Sequence, residues 1–358
     1  MGLTRRMEDG GPVASACGHA EPKNRLLSEA RHQRKNAPGV GPRRQWKKVR
    51  QTILITLVLC GLVAVVVPLP ALLAQGDKIV RMQTLNVRDI LYVLTGGSNT
   101  LALMRDEGVV LVDTKPPGWG RSIRDNIESV TDQQVTTIIN THAHADHVGG
   151  NVEFPAATTI IAHANAKARM EKMDIFRGPN AKFLPNKVVT DRMSLLEGND
   201  RIEIYYFGRG HTDGDLVVVF PEKRLAHFGD LFPAKAAPLI DADAGGSGVA
   251  FPETLMKAIA ELKTVVRVTT GHDEASAVMG SGTSASAINA NPRTMSIKDL
   301  QEYADFTRDF LEAVKQAIAA GKNADEAAKT LQLPERYKAY DMTNAPVSVR
   351  AIYGELKK

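Results

Sequence analysis

Residues 141–149 read Thr-His-Ala-His-Ala-Asp-His-Val-Gly, so His142, His144, Asp146 and His147 fall within six positions. Imidazole and carboxylate are the usual ligands of catalytic zinc, and a cluster this dense points to a metal centre. His142 and His144 are two apart, so on an extended segment they face the same way. Asp146 and His147 follow in what reads as a tight turn. Such a turn can direct the histidine pair toward one metal and the Asp-His pair toward a neighbour. Two metals need more donors. The later candidates are His211 in Gly-Arg-Gly-His-Thr-Asp-Gly-Asp, Asp230 in His-Phe-Gly-Asp-Leu-Phe and His272 in Thr-Gly-His-Asp. Adjacent glycines let the backbone turn sharply and bring a ligand inward.

Each of these residues follows a run that reads as a strand. Val135–Asn140 is β-branched and delivers His142 at its end. Arg201–Phe207, Leu216–Phe220, Arg224–Phe228 and Val265–Thr269 precede the later candidates. Upstream, Ile90–Leu94, Thr100–Met104 and Val109–Val112 are short apolar runs split by turn residues, which suggests an antiparallel meander. Thr158–Ala162 is a further strand. Arg121–Val130, Ala164–Met173 and Pro252–Leu262 have helical spacing. Two strand sets mixed with helices imply two sheets packed face to face with helices outside. The metal candidates then lie in loops at one edge of the sandwich. Residues 274–296, rich in Ser, Ala, Gly and Asn, read as a loop. A helix over 296–320 has an apolar face of Leu300, Tyr303, Phe306, Phe310, Leu311, Val314 and Ile318, and Asp325–Leu331 forms a second, short helix.

The chain has 358 residues and a formal net charge of +5. Residues 1–50 hold twelve Lys/Arg against four Asp/Glu, which leaves 33 against 36 in the remainder. The basic character belongs to the N-terminal tail, so the folded part offers no nucleic-acid surface. Both cysteines, Cys17 and Cys60, precede residue 76, which excludes disulfides and Cys-ligated zinc from the folded region. Thr52–Val67 is uncharged and follows Arg43, Arg44, Lys47, Lys48 and Arg50, which reads as an export signal or an N-terminal anchor. The expected organisation is a disordered basic tail over 1–50, the signal peptide or anchor over 51–75, a folded domain over 77–295 and a C-terminal helical extension over 296–358. Translation starting near Val40 would give a signal of ordinary proportions. A periplasmic or otherwise extracytoplasmic location is expected, with membrane contact only through the N-terminal segment.

The ordered set HxHxDH, His211, Asp230 and His272, with Leu-Val-Asp-Thr at 111–114, resembles the metallo-β-lactamase superfamily over roughly residues 85–275. The resemblance implies an α+β fold, a four-layer αβ/βα sandwich, here carrying a C-terminal helical extension. It implies a first metal held by His142, His144 and His211, a second held by Asp146, His147 and His272, and Asp230 bridging them. Two Zn2+ ions are the expected cofactors, with iron an alternative. The implied activity is that of a binuclear zinc hydrolase. Its metal-bridging hydroxide attacks the carbonyl of a small-molecule ester, lactone, thioester or lactam. Asp146 would orient the nucleophile and carry its proton, and Asp113 would hold a ligand histidine from behind.

The segment 210–221 looks most like the zinc β-lactamases proper. Those enzymes, however, have Cys where this chain has Asp230, lack the histidine at 147, and place a substrate-gripping Lys where Pro233 stands. The ligand set is closer to lactonases and hydroxyacyl-thioester hydrolases, which puts β-lactams in doubt. Lys235 is the nearest lysine for a substrate carboxylate, with a solvated surface residue as its other reading. Asp213 and Asp215 read either as supports behind the ligands or as ordinary turn residues. His227, His163, His19 and His32 read as structural or surface histidines. The alternatives to the hydrolase are a mononuclear iron enzyme like the persulfide dioxygenases and a metal-binding module without catalysis.

Overall fold

The computed structural model describes residues 80–85, 90–272 and 294–357. The chain divides into Met1–Leu72 and Leu73–Lys358, and every described residue belongs to the second unit. The basic tail, the apolar segment at 51–75 and most of the expected loop at 274–296 lie outside the described residues.

Short β-branched runs between turn residues build two sheets. The first has seven strands in sequence order: β1 (Arg81–Thr84), β2 (Leu91–Thr95), β3 (Thr100–Leu103), β4 (Val109–Val112), β5 (Val135–Ile139), β6 (Thr159–His163) and β7 (Lys187–Val189). The pairings β1–β2, β2–β3 and β3–β4 are antiparallel, as the meander expectation required. From β4 to β7 the pairing is parallel. Parallel neighbours need crossovers, and these carry α1 (Gly120–Glu128), α2 (Ala145–Val148) and α3 (Ala164–Met170). The second sheet runs β13 (Met295–Ser296), β12 (Arg267–Thr269), β11 (Leu225–His227), β10 (Leu216–Phe220), β9 (Ile202–Tyr206) and β8 (Arg192–Leu195). Only its β11–β12 pair is parallel.

Alternation along the strands separates three apolar layers. Val93, Leu101, Val110 and Ile139 of the first sheet meet Ile204, Leu216, Val218 and Leu225 of the second in a shared core. The opposite face of the first sheet, with Leu111, Ile138 and Ile160, packs against Ile123 and Ile127 of α1 and Ala166 and Met170 of α3. The outer face of the second sheet is covered by α4 (Phe251–Glu261), α5 (Ile297–Ala319), α6 (Ala324–Thr330) and α7 (Ala345–Leu356). Each fully buried aliphatic side chain in these layers contributes roughly 1.5–3 kcal/mol. Helix α5 begins where expected: Ser296 accepts from the Asp299 amide, and Asp299 accepts from the Ser296 amide, a complete capping box.

The structure differs from the sequence expectation in three places. Asp146 and His147 lie in a single helical turn, α2, with His144 at its N-cap. Strands β1 and β7 carry no clear apolar alternation, β8 alternates over only four residues, and the burial of all three is correspondingly partial. Helix α7 has the weakest amphipathic pattern of the long helices because Ser348 lies on its buried face and Val347 and Leu356 on its exposed one, and the sequence reading names no separate helix there within its C-terminal helical extension. Among the described residues no helix is long and apolar enough to cross a membrane.

Two parallel strand pairs fix the site. Asp113 follows β4 and His142 follows β5, while Asp230 follows β11 and His272 follows β12. The C-terminal ends of parallel strands are where α/β folds collect ligand-binding loops.

Candidate metal centre

Backbone economy brings the four loops together. Gly229 has a φ of 51° and sits where a side chain would run into Thr141. Gly271 leaves no room for a Cβ against Asp230 Oδ1 and the Gly229 backbone. The Gly271 amide donates to Gly229 O at 2.9 Å, which locks the Asp230 and His272 loops side by side.

The proton positions of four histidines follow from their outer partners. A carboxylate or carbonyl oxygen only accepts, so the ring nitrogen facing it carries the proton. His147 Nδ1 therefore donates to Asp113 Oδ2 at 2.8 Å, His144 Nε2 to Asp241 Oδ2 at 2.8 Å, and His211 Nδ1 to Leu239 O at 2.6 Å. The Thr141 hydroxyl donates to Asp113 Oδ2 at 2.7 Å, so its oxygen accepts from His142 Nδ1 at 3.0 Å. Each inner nitrogen is left to face the site.

Those inner nitrogens converge. His144 Nδ1 is 3.1 Å from His142 Nε2 and 2.9 Å from His211 Nε2. His147 Nε2 is 3.2 Å from His272 Nε2, and Asp146 Oδ2 is 3.2 Å from the same His272 atom. Asp230 lies between the groups, with Oδ2 at 3.6 Å from His211 Nε2 and 3.4 Å from His272 Nε2. Its Oδ1 is buried without a hydrogen-bond partner among the described residues. Tetrahedral zinc with Zn–N bonds of about 2.05 Å spaces its nitrogens about 3.3 Å apart. The donor types, the spacing and the orphaned carboxylate oxygen all fit a pair of divalent cations. The groups able to hold a metal are His142, His144, His211 and Asp230, and Asp146, His147 and His272.

Electrostatics favour cations here. Burial pushes His142 well below the ordinary imidazole range, with the neighbouring His147 adding to the effect. Burial also lowers His144. His147 moves the other way: burial opposes its charge, but Asp230, Asp113 and Asp146 together raise it well above that range. His272, likewise buried, is raised to about 9 by Asp230 and Asp146. Against the effect of burial, His272 and His147 hold Asp230 well below the carboxylate range, and His147 and His272 hold Asp146 at about 2. Asp113, despite complete burial, is kept low by His147 and His227. Asp230 and Asp146 are therefore charged at the converging donors, with Asp113 charged behind His147, and once His147 and His272 give up their protons the negative field attracts divalent ions.

The remaining sequence candidates fall elsewhere. Lys235 Nζ sits 3.4 Å from Glu302 of α5, so its charge is directed to the C-terminal helices and not to the metal groups. Asp213 is a bidentate partner of Arg169, at 2.9 and 2.6 Å. Asp215 is buried and accepts from the Thr212 amide and hydroxyl, closing the turn behind His211, and burial raises its carboxyl. His227 lies beneath the site, bonded to Thr269 Oγ1 at 3.0 Å. His163 caps α3 through the Asn165 amide and stacks on Tyr206. Sequence reasoning missed Thr141, Asp241 and Lys115. Thr141 neighbours the cluster and was legible in principle. Asp241 is brought in from 97 residues away and leaves no spacing signal. Lys115 is fully buried at a φ of 65° and donates to Leu94 O at 2.7 Å and to Ser98 O.

Comparison with known proteins places this geometry. Residues 94–272, half of the chain, match the profile described as metallo-beta-lactamase superfamily. A metallo-beta-lactamase type 2 from Bacillus sp. (strain 170) is 32% identical over 145 residues, covering 39% of this chain and 52% of that protein. The 2,4-dinitroanisole O-demethylase subunit alpha from Nocardioides sp. (strain JS1661) is 30% identical over 154 residues, covering 42% and 46%. The chain thus spans about half the length of the curated relatives it matches. Among solved structures, a metallo-beta-lactamase from Pontibacter korlensis aligns with a TM-score of 0.51 at 17% identity, covering 64% of this chain and all of that one. That likeness supports the αβ/βα sandwich and, at this identity, the fold alone.

Proposed function

This chain belongs to the metallo-beta-lactamase superfamily, and from that premise we propose that it is a binuclear zinc hydrolase acting on a small-molecule ester, lactone or thioester. The observation that carries the reading is Asp230, one carboxylate within 3.6 Å of a histidine from each donor group. Bound divalent ions supply Lewis acidity and a water whose pKa falls toward ~7.

The protein residues have separable tasks. His142 and His144, whose charged forms burial disfavours, are held with a neutral inner nitrogen forward, ready to bind without losing a proton, and Leu239 O holds His211 with Nε2 forward. His147 and His272 must give up a proton on binding. Asp146 is the most exposed carboxylate of the set, with a side chain 40% accessible. Held at about 2, it accepts a hydrogen bond from the attacking water and orients it. Asp113 anchors His147 directly and His142 through Thr141. A β-lactam is the weakest of the candidate substrates, because Asp230 replaces the β-lactamase cysteine and Lys235 is paired with Glu302. The Nocardioides relative adds an activated aryl ether to the panel. The basic and apolar segment at 43–74 supports an extracytoplasmic location.

The test is metal analysis of protein purified without added metal, followed by a panel of lactones, thioesters, aryl esters, 2,4-dinitroanisole and nitrocefin. Two zinc ions per chain and chelator-sensitive turnover of a carbonyl ester are expected. One iron and no zinc would favour the redox alternative, and two zinc ions without turnover would favour a binding module.

A further inference from the structure

We propose that the C-terminal helix α7 belongs to the metal-site machinery, as the clamp that positions His144 and His211 from outside the shared family fold. The proposal rests on the reading of those two histidines as ligands.

Both histidines take their outer hydrogen bond from one loop, residues 237–248. Leu239 O accepts from His211 Nδ1, and Asp241 Oδ2 accepts from His144 Nε2. The loop also grips the His211 turn through its backbone: the Asp241 amide donates to His211 O at 3.0 Å, and the Ser247 amide donates to Gly210 O at 2.9 Å. A loop that sets two rings must itself be held, since a metal-ligating imidazole is only as well aimed as its outer partner.

What holds the two ends of this loop lies far along the chain. Ser348, buried on α7, donates through Oγ to Pro238 O and accepts from the Ile240 amide at 3.2 Å. These two contacts bracket Leu239. Glu355, two turns further along α7, accepts from Ser247 Oγ at 2.6 Å and from the Gly248 amide at 2.8 Å. Between them Ile352 and Val349 pack with Ile240 and Ala237 in one apolar cluster. Just before α7, the Ala237 amide donates to Asp341 O at 2.7 Å and the Asp341 amide to Lys235 O at 2.9 Å. The two ends of the loop are therefore fastened to residues 341–355, all beyond residue 272, where the family match ends, while its middle is held by Arg169, Arg209 and the Asp213 amide, which donate to the carbonyls of Asp243, Gly245, Gly246 and Ala244. The loop grips only the His144 and His211 group. Asp146, His147 and His272 are held by Asp113, Ser98 and the 270–272 turn instead.

That asymmetry makes the clamp testable on the full-length protein. Ser348→Ala removes the bracket around Leu239, and Glu355→Ala releases the far end of the loop. Glu355→Gln keeps an acceptor for Gly248 and a polar partner for Ser247. Per-site zinc affinity is read by chelator competition and by the absorption of the cobalt-substituted protein, and amide exchange at 239–247 is followed without metal. The expected result is about tenfold weaker binding at the His142, His144 and His211 group in both alanine variants. The other group stays within twofold, exchange at Asp241 and Gly246 speeds up, and Glu355→Gln behaves close to wild type. Unchanged affinities, or equal weakening at both groups, overturn the clamp. A wild-type chain that binds no zinc instead refutes the ligand reading, and it does so before any variant is made.

Discussion

Replacing Asp113 by Asn tests how the two ligand groups are set. One Asp113 oxygen accepts from the Thr141 amide at 2.8 Å, and the other accepts from both the Thr141 hydroxyl and His147 Nδ1. Asparagine keeps the volume and tolerates the φ of 62° found at this position. It cannot keep the bonding. With its amide nitrogen toward His147 and Thr141, it donates where both need an acceptor. His147 must then move its proton to Nε2, and the Thr141 hydroxyl turns toward His142 and forces the same switch there. With the amide reversed, the NH2 faces the Thr141 N–H, a buried donor against a donor. Either orientation forfeits a charge-assisted acceptor in a fully buried setting, about 1.5–3 kcal/mol. At 1.4 kcal/mol per decade this is roughly a 10–100-fold loss of zinc affinity. Chelator competition measures it, and imidazole NMR of the metal-free protein reports the tautomers. Two zinc ions bound with wild-type affinity would refute the assignment of Asp113 as the residue that aims His147 and His142.

Three further outcomes are expected. Zinc must displace the proton that His272 holds up to about pH 9, so its apparent affinity rises with pH, up to tenfold per unit from this proton, and levels off above about 9. The sign for the metal-free fold is opposite: a raised histidine contributes stability that is complete below about 6.5 and lost as pH rises through about 9, which melting curves across that window will show. Lys115→Met strands the Leu94 and Ser98 carbonyls in a buried site, at about 1–3 kcal/mol each, and lowers the melting temperature by several degrees. Because Ser98 donates to Asp146 O and bridges to His272, zinc at that group should weaken too, and an unchanged melt and affinity would exclude the role. Gly271→Ala drives a methyl into Asp230 and the Gly229 backbone. Destabilisation of about 1–3 kcal/mol and weaker binding at both groups should follow, measured by denaturation and metal analysis.

The sequence alone named the candidate donors. Their types and spacing at 142–147 are local facts, and His211, Asp230 and His272 are marked by adjacent glycines and by strands whose apolar runs are themselves local. It also determined the alternation of strands and helices, because burial on one face imposes a period that a sequence displays. Tertiary structure alone decided how the donors are oriented and charged. The reason is that tautomer and charge depend on partners distant in the chain: Asp241 for His144, Leu239 for His211, Asp113 for both His147 and Thr141. The same reason hid the true surroundings of Lys235, whose charge goes to a helix 67 residues onward. It hid Lys115 as well, whose burial no period announces. Helix α7 escaped the sequence reading because a buried serine and the exposed Val347 and Leu356 blur its amphipathic stripe, and only packing revealed that it touches the loop behind two ligands.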